Sequence, residues 1–70
     1  MIVERTFTVE GMSDDESEMM VEKVLLAIDG VKSAEADGLL ERVVVRYDSD
    51  KVTIRQMAEM VDLCGFELEA

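Results

Sequence analysis

Three groups of side chains in this sequence have the types and spacing to do chemistry. Asp14, Asp15, Glu16 and Glu18 crowd one short segment, and carboxylates this close together could share a hard cation such as Ca²⁺ or Mg²⁺. The same residues have a simpler role. Ser13 and Glu16 stand at capping-box spacing, acidic residues suit the positive end of a helix, and no Asp-x-Asp-x-Asp-Gly loop is present, so helix capping is the favoured reading. Cys64, the single cysteine, lies among Glu59, Asp62 and Glu67 just before Gly65. It reads as a sluggish nucleophile, half-covered by its surroundings, that reaches a metal only by pairing with its counterpart in a dimer or with a partner's cysteine. The methionines offer soft thioethers. Met57 falls on a core stripe and is read as packing, whereas Met19 and Met20 point in different directions and, with Met60, are the ones expected at the surface, as a flexible docking patch rather than a thioether site.

The elements that must position these groups follow from periodicity. Residues 2–9 alternate, placing Val3, Arg5, Phe7 and Val9 on one side and Ile2, Glu4, Thr6 and Thr8 on the other, which predicts a strand. Arg5 fits the apolar side only if its guanidinium reaches back to water along its aliphatic stem. Gly11 ends the strand, the Ser13–Glu16 box opens a helix over about 15–28, and Val21, Val24, Leu25 and Ile28 give its apolar face before Asp29-Gly30 stops it. Val31, Ala34 and Ala36 form a weaker strand, Asp37-Gly38 a turn, and Val43-Val44-Val45-Arg46-Tyr47 the strongest strand signal in the chain. Thr53 and Gln56 repeat the capping box. They open a second helix over about 53–64, with Ile54, Met57, Ala58 and Val61 on one face, and Phe66–Glu69 alternate as a short last strand.

The order βαββαβ, with right-handed crossovers, predicts an α+β ferredoxin-like fold: a four-stranded antiparallel sheet with both helices on one face. By parity the open face carries Thr6, Thr8, Val44 and Arg46. Seventy residues leave room for one small core, and no linker or low-complexity tract interrupts them, so residues 1–70 are expected to form a single domain.

Composition then narrows the function. Seventeen acidic against seven basic side chains give a formal charge of −10, which repels phosphate backbones and anionic lipid; neither nucleic acid nor membrane is an expected partner. There is no histidine, so the usual general base near neutral pH is missing and an enzyme is not expected. Hydrolysis of the acylphosphatase type would need a basic phosphate cradle where this chain presents Ser13-Asp14-Asp15-Glu16. A lone cysteine makes no internal disulfide, the first residues lack a signal peptide's basic start and apolar run, and the chain is expected in the cytoplasm. The acidity also fits a saline cytoplasm or a basic partner.

Several local spellings fall together: Thr6-Phe7-Thr8-Val9-Glu10-Gly11-Met12, Asp29-Gly30-Val31, Val43-Val44-Val45-Arg46-Tyr47-Asp48 and Gly65-Phe66. With their spacing they resemble, over essentially the whole chain, the heavy-metal-associated (HMA) domain of copper chaperones and of metal-transporting P-type ATPases. The resemblance implies a ferredoxin-like fold, metal transport as the family's business and a buried loop methionine at Met12. It also implies a Phe66 that lies close to the metal loop and closes the core. The family's signature is Gly-Met-x-Cys-x-x-Cys, whose two thiolates hold a soft cation such as Cu(I). Here the segment reads Gly11-Met12-Ser13-Asp14-Asp15-Glu16-Ser17, so Asp14 and Ser17 stand where the two cysteines would be. Oxygen donors do not replace thiolates at Cu(I). No cofactor is expected, and Cu(I) or another heavy metal enters only through the resemblance. The resulting expectation is a degenerate, non-enzymatic HMA-like domain acting by protein contact, as a monomer or weak dimer. The alternative is a metal carrier with non-standard ligands, Asp14, Ser17 and Cys64, or a site shared in a dimer.

Overall fold

A computed structural model of the chain describes residues 1–69. Its elements are β1 (Ile2–Glu10), α1 (Asp15–Leu26), β2 (Val31–Asp37), β3 (Arg42–Asp48), α2 (Ile54–Asp62) and β4 (Glu67–Glu69). The four strands form one antiparallel sheet in the order β2-β3-β1-β4, so the ferredoxin-like arrangement expected from the alternation is the one found. Strand β1 is central. It pairs with β3 from Ile2↔Asp48 to Thr8↔Arg42 and with β4 from Thr8↔Glu69 to Glu10↔Glu67.

The core follows the parities. Phe7 and Val9 of β1 and Val43, Val45 and Tyr47 of β3 are buried on the helix side, while Thr6, Thr8 and Arg46 are exposed on the other. Arg5 is exposed as well, as its charge requires. Val21 and Leu25 from α1 and Met57 and Val61 from α2 close the core from above, each fully buried; an aliphatic side chain buried to this degree stabilises the fold by about 1.5–3 kcal/mol. Helix α1 lies along β2 and α2 along β4.

Two local expectations are corrected. Helix α1 is capped by Asp14, not by Ser13, because Asp14 stands three residues before Ser17 and takes its amide; the Ser13–Glu16 box does not form. Both helices also stop short of the expected bounds, at Leu26 and Asp62. Their last turns loosen toward Gly30 (φ +103°) and Gly65 (φ +90°), whose left-handed backbone reverses the chain. The Thr53–Gln56 box forms in full: the Gln56 amide donates to Thr53 Oγ1 at 3.1 Å and the Thr53 amide to Gln56 Oε1 at 2.8 Å.

The β2–β3 turn is longer than a two-residue hairpin. Residues 38–41 connect the strands, and the left-handed position falls on Glu41 (φ 50°) rather than on Gly38. Asp37 Oδ1 accepts from the amides of Leu39 (3.1 Å) and Leu40 (3.3 Å), the local side-chain bonding that makes Asp a turn former. A Cβ at Gly38 would lie 2.9 Å from Glu18 Oε2, so a larger residue there would push that carboxylate aside.

Candidate functional site

The segment from Gly11 to Ser17 leaves the end of β1 and enters α1. Gly11 turns it at φ +93°, with Phe66 packed so closely that a Cβ would sit 3.3 Å from its ring. Met12 then plunges fully into the core and anchors the loop from below. Ser13 and Asp14 are consequently thrown outward and exposed, and Ser17, one turn on, is half-buried.

Asp14 and Ser17 meet. The Ser17 amide donates to Asp14 Oδ1 at 2.8 Å, and Asp14 has the extended backbone of an N-cap. The Ser17 side chain, followed by its amide, holds the Asp14 carboxyl below its ordinary value of 3.8. Carboxylate and hydroxyl thus stand side by side, with the carboxylate engaged through Oδ1 by the Ser17 amide. All the donors these two positions offer are hard oxygens, ill-suited to a soft monovalent cation.

Cys64 is a free thiol, half-buried in the turn after α2, where its amide donates to Val61 O at 3.0 Å. Through Phe66 that turn abuts the loop at Gly11, so all three anticipated residues lie at one end of the molecule. Among the described residues no hydrogen bond joins Cys64 to Asp14 or Ser17. Met57 is buried as its helical spacing suggested and Met12 as the resemblance implied. Met19 and Met20 are exposed, whereas Met60, expected at the surface with them, is partly covered.

Sequence reasoning missed one constellation. Glu10, Glu67 and Glu69 bring carboxylate oxygens within 4.8 Å of one another on the exposed face where β4 joins β1. A hydrogen bond with Glu69, then that residue's charge, raises the Glu10 carboxyl above its ordinary 4.5, with Glu41 adding to the repulsion. The alternation in Phe66–Glu69 was visible, but only the register Glu10↔Glu67 and Thr8↔Glu69 puts the three together. Among the described residues no helix is long and apolar enough to cross a membrane.

Known proteins share the sequence and fold of this chain to a substantial degree. The model of the heavy-metal-associated domain family matches residues 6–67. A copper chaperone CopZ of Staphylococcus haemolyticus is 35% identical over 68 residues, covering 97% of this chain and all of that protein. Among solved structures, a CopZ metallochaperone superposes with a TM-score of 0.90 at 35% identity, covering 94% of this chain and 98% of its own. The N-terminal domain of a potential copper-translocating P-type ATPase from Bacillus subtilis, solved in the Cu(I)-loaded state, superposes with a TM-score of 0.92 at 32% identity, over 99% of this chain and 86% of that one. With a matching family model over most of its length and relatives this similar, the chain belongs to the heavy-metal-associated domain family.

Proposed function

We propose that residues 1–70 form one non-enzymatic, cytoplasmic HMA unit of copper trafficking that works by contact with another protein and has given up carrying Cu(I) itself. The observation that carries this reading is the Asp14–Ser17 pair. At the two positions where the family's signature has thiolates, this chain has a carboxylate spent on capping α1 and a hydroxyl beside it. The similarity to proteins named as copper chaperones and to a copper ATPase domain supports the trafficking context. The partner in this reading is a protein of the same copper-handling system. The alternative ligand set of Asp14, Ser17 and Cys64 is less well supported, because it offers one sulfur where Cu(I) prefers at least two.

Competition against a Cu(I) chelator tests the proposal. Native protein is expected to lose to the chelator, and Asp14→Cys combined with Ser17→Cys to win, because the loop places the two positions across one helical turn. Asp14→Ser alone, which removes the charge without adding sulfur, should behave like the native chain. Native protein that competes as well as the double variant would overturn the reading, and Cys64→Ser would then show whether the lone thiol is responsible.

A further inference from the structure

We propose that the tip of the β2–β3 hairpin is a docking prong, with Leu39 and Leu40 entering an apolar pocket whose rim carries Lys or Arg on a partner protein. The inference rests on the protein-contact reading above only in requiring a partner, and the copper competition and the test below can fail separately.

The tip departs from ordinary turn chemistry. Positions 39 and 40 are where Gly, Asn, Asp or Ser would serve a hairpin; instead they carry leucines that are 95% and 56% exposed. No core contact accounts for them. The backbone beneath is nevertheless held from three sides. Asp37 Oδ1 accepts both leucine amides. Glu18 of α1 accepts the Gly38 amide, and Glu22, one turn further along α1, accepts that of Ala36 at 2.8 Å. On the far side, Glu41 accepts the Val9 amide at 2.7 Å through its carbonyl and the Gly11 amide at 3.3 Å through its side chain. Two apolar side chains on a backbone fixed this way lose little freedom when a partner covers them, which is the condition for an efficient anchor.

Charge identifies the partner. Glu18, Glu35 and Asp37 gather beside the tip with Arg42 as the cation among them, and Glu41 follows the two leucines in the chain. A second copy of this chain would bring the same carboxylates, and ten net negative charges, face to face; an anionic lipid surface would be repelled in the same way. A pocket rimmed by cationic side chains satisfies both the leucines and the acids around them. The bonds from Glu41 and Glu18 tie the prong to both flanks of the Gly11–Ser17 loop, so a partner gripping it lies beside Asp14 and Ser17.

The test uses isotope-labelled native protein titrated with an amphipathic helical peptide of leucine and lysine, and with the same peptide carrying glutamate for lysine. Amide shifts centred on residues 37–42 are expected with the lysine peptide only. The variant Leu39→Ser with Leu40→Ser should bind at least tenfold more weakly at an unchanged thermal midpoint. Met19→Ser with Met20→Ser, which removes exposed apolar surface from α1, should bind like the native chain. Absence of binding overturns the proposal, as do shifts spread over the whole acidic surface or centred on α1, equal binding of the glutamate peptide, or native affinity in the leucine variant. Sedimentation showing a native dimer that the leucine variant loses would assign the prong to a second copy and overturn it equally.

Discussion

Asp14 caps α1, its Oδ1 accepting the Ser17 amide at 2.8 Å. The pH dependence follows from the direction of its shift. A carboxyl held below its ordinary value contributes stability that is fully present above the unfolded value of 3.8 and is lost as pH falls through the folded one. Asp14→Ala should therefore lower the thermal midpoint at pH 7, and the difference from native should fade on acidification below 3.8. Glu10 has the opposite sign. Its raised folded value means that the hydrogen bond with Glu69 stabilises at low pH and gives way to repulsion as pH rises through that value. Glu69→Gln should raise the midpoint at pH 7 and raise it less at pH 4, as thermal scans at both values would show. That residues 14 and 17 stand together was implied by the family resemblance; that Asp14 caps the helix was not read from the sequence, which pointed to Ser13. The glutamate cluster was not legible, because it depends on the register between strands that lie nearly sixty residues apart in the chain.

Local motifs foretold the helices as far as their signals were unrivalled. Thr53 and Gln56 had no competitor, and the capping box formed where it was read; Thr53→Ala should cost about 1 kcal/mol, measured by denaturant unfolding with an unchanged m-value. Before α1, Ser13 with Glu16 competed against Asp14 with Ser17, three residues apart in each case. The burial of Met12 fixed which residue emerged in position to cap, and burial is a property of the folded chain rather than of the spelling. The strands and their faces were legible because alternation survives in Phe7–Val9 and Val43–Tyr47. The turn read at Asp37-Gly38 is there, but its length was not legible, because the hydrogen bond from the Gly38 amide to Glu18 and the left-handed Glu41 that shape it belong to the folded chain.

At the scale of the molecule, charge dominates. Among the described residues the ion pairs are those of the terminal amine with Asp48 and Asp50 and of Arg55 with Glu59, all of them at the surface, and they leave most of the acidic excess uncompensated. Raising monovalent salt from about 0.1 to 1 M shortens the screening length from about 10 to 3 Å. The thermal midpoint should rise across that range, and a flat or falling midpoint would show that self-repulsion is not limiting. The central position of β1 has a consequence of another kind, for the order in which the sheet closes. Strand β1 lies between partners that come later in the sequence, Arg42–Asp48 on one side and Glu67–Glu69 on the other. Until β3 pairs with it, Phe7 and Val9 have no sheet to belong to. A molecule in which β4 has not yet docked can complete three strands but leaves the backbone of Thr8–Glu10 open along one side, as an unsatisfied edge available to any neighbouring strand. Folding thus stays adhesive until three residues, Glu67 to Glu69, fall into place.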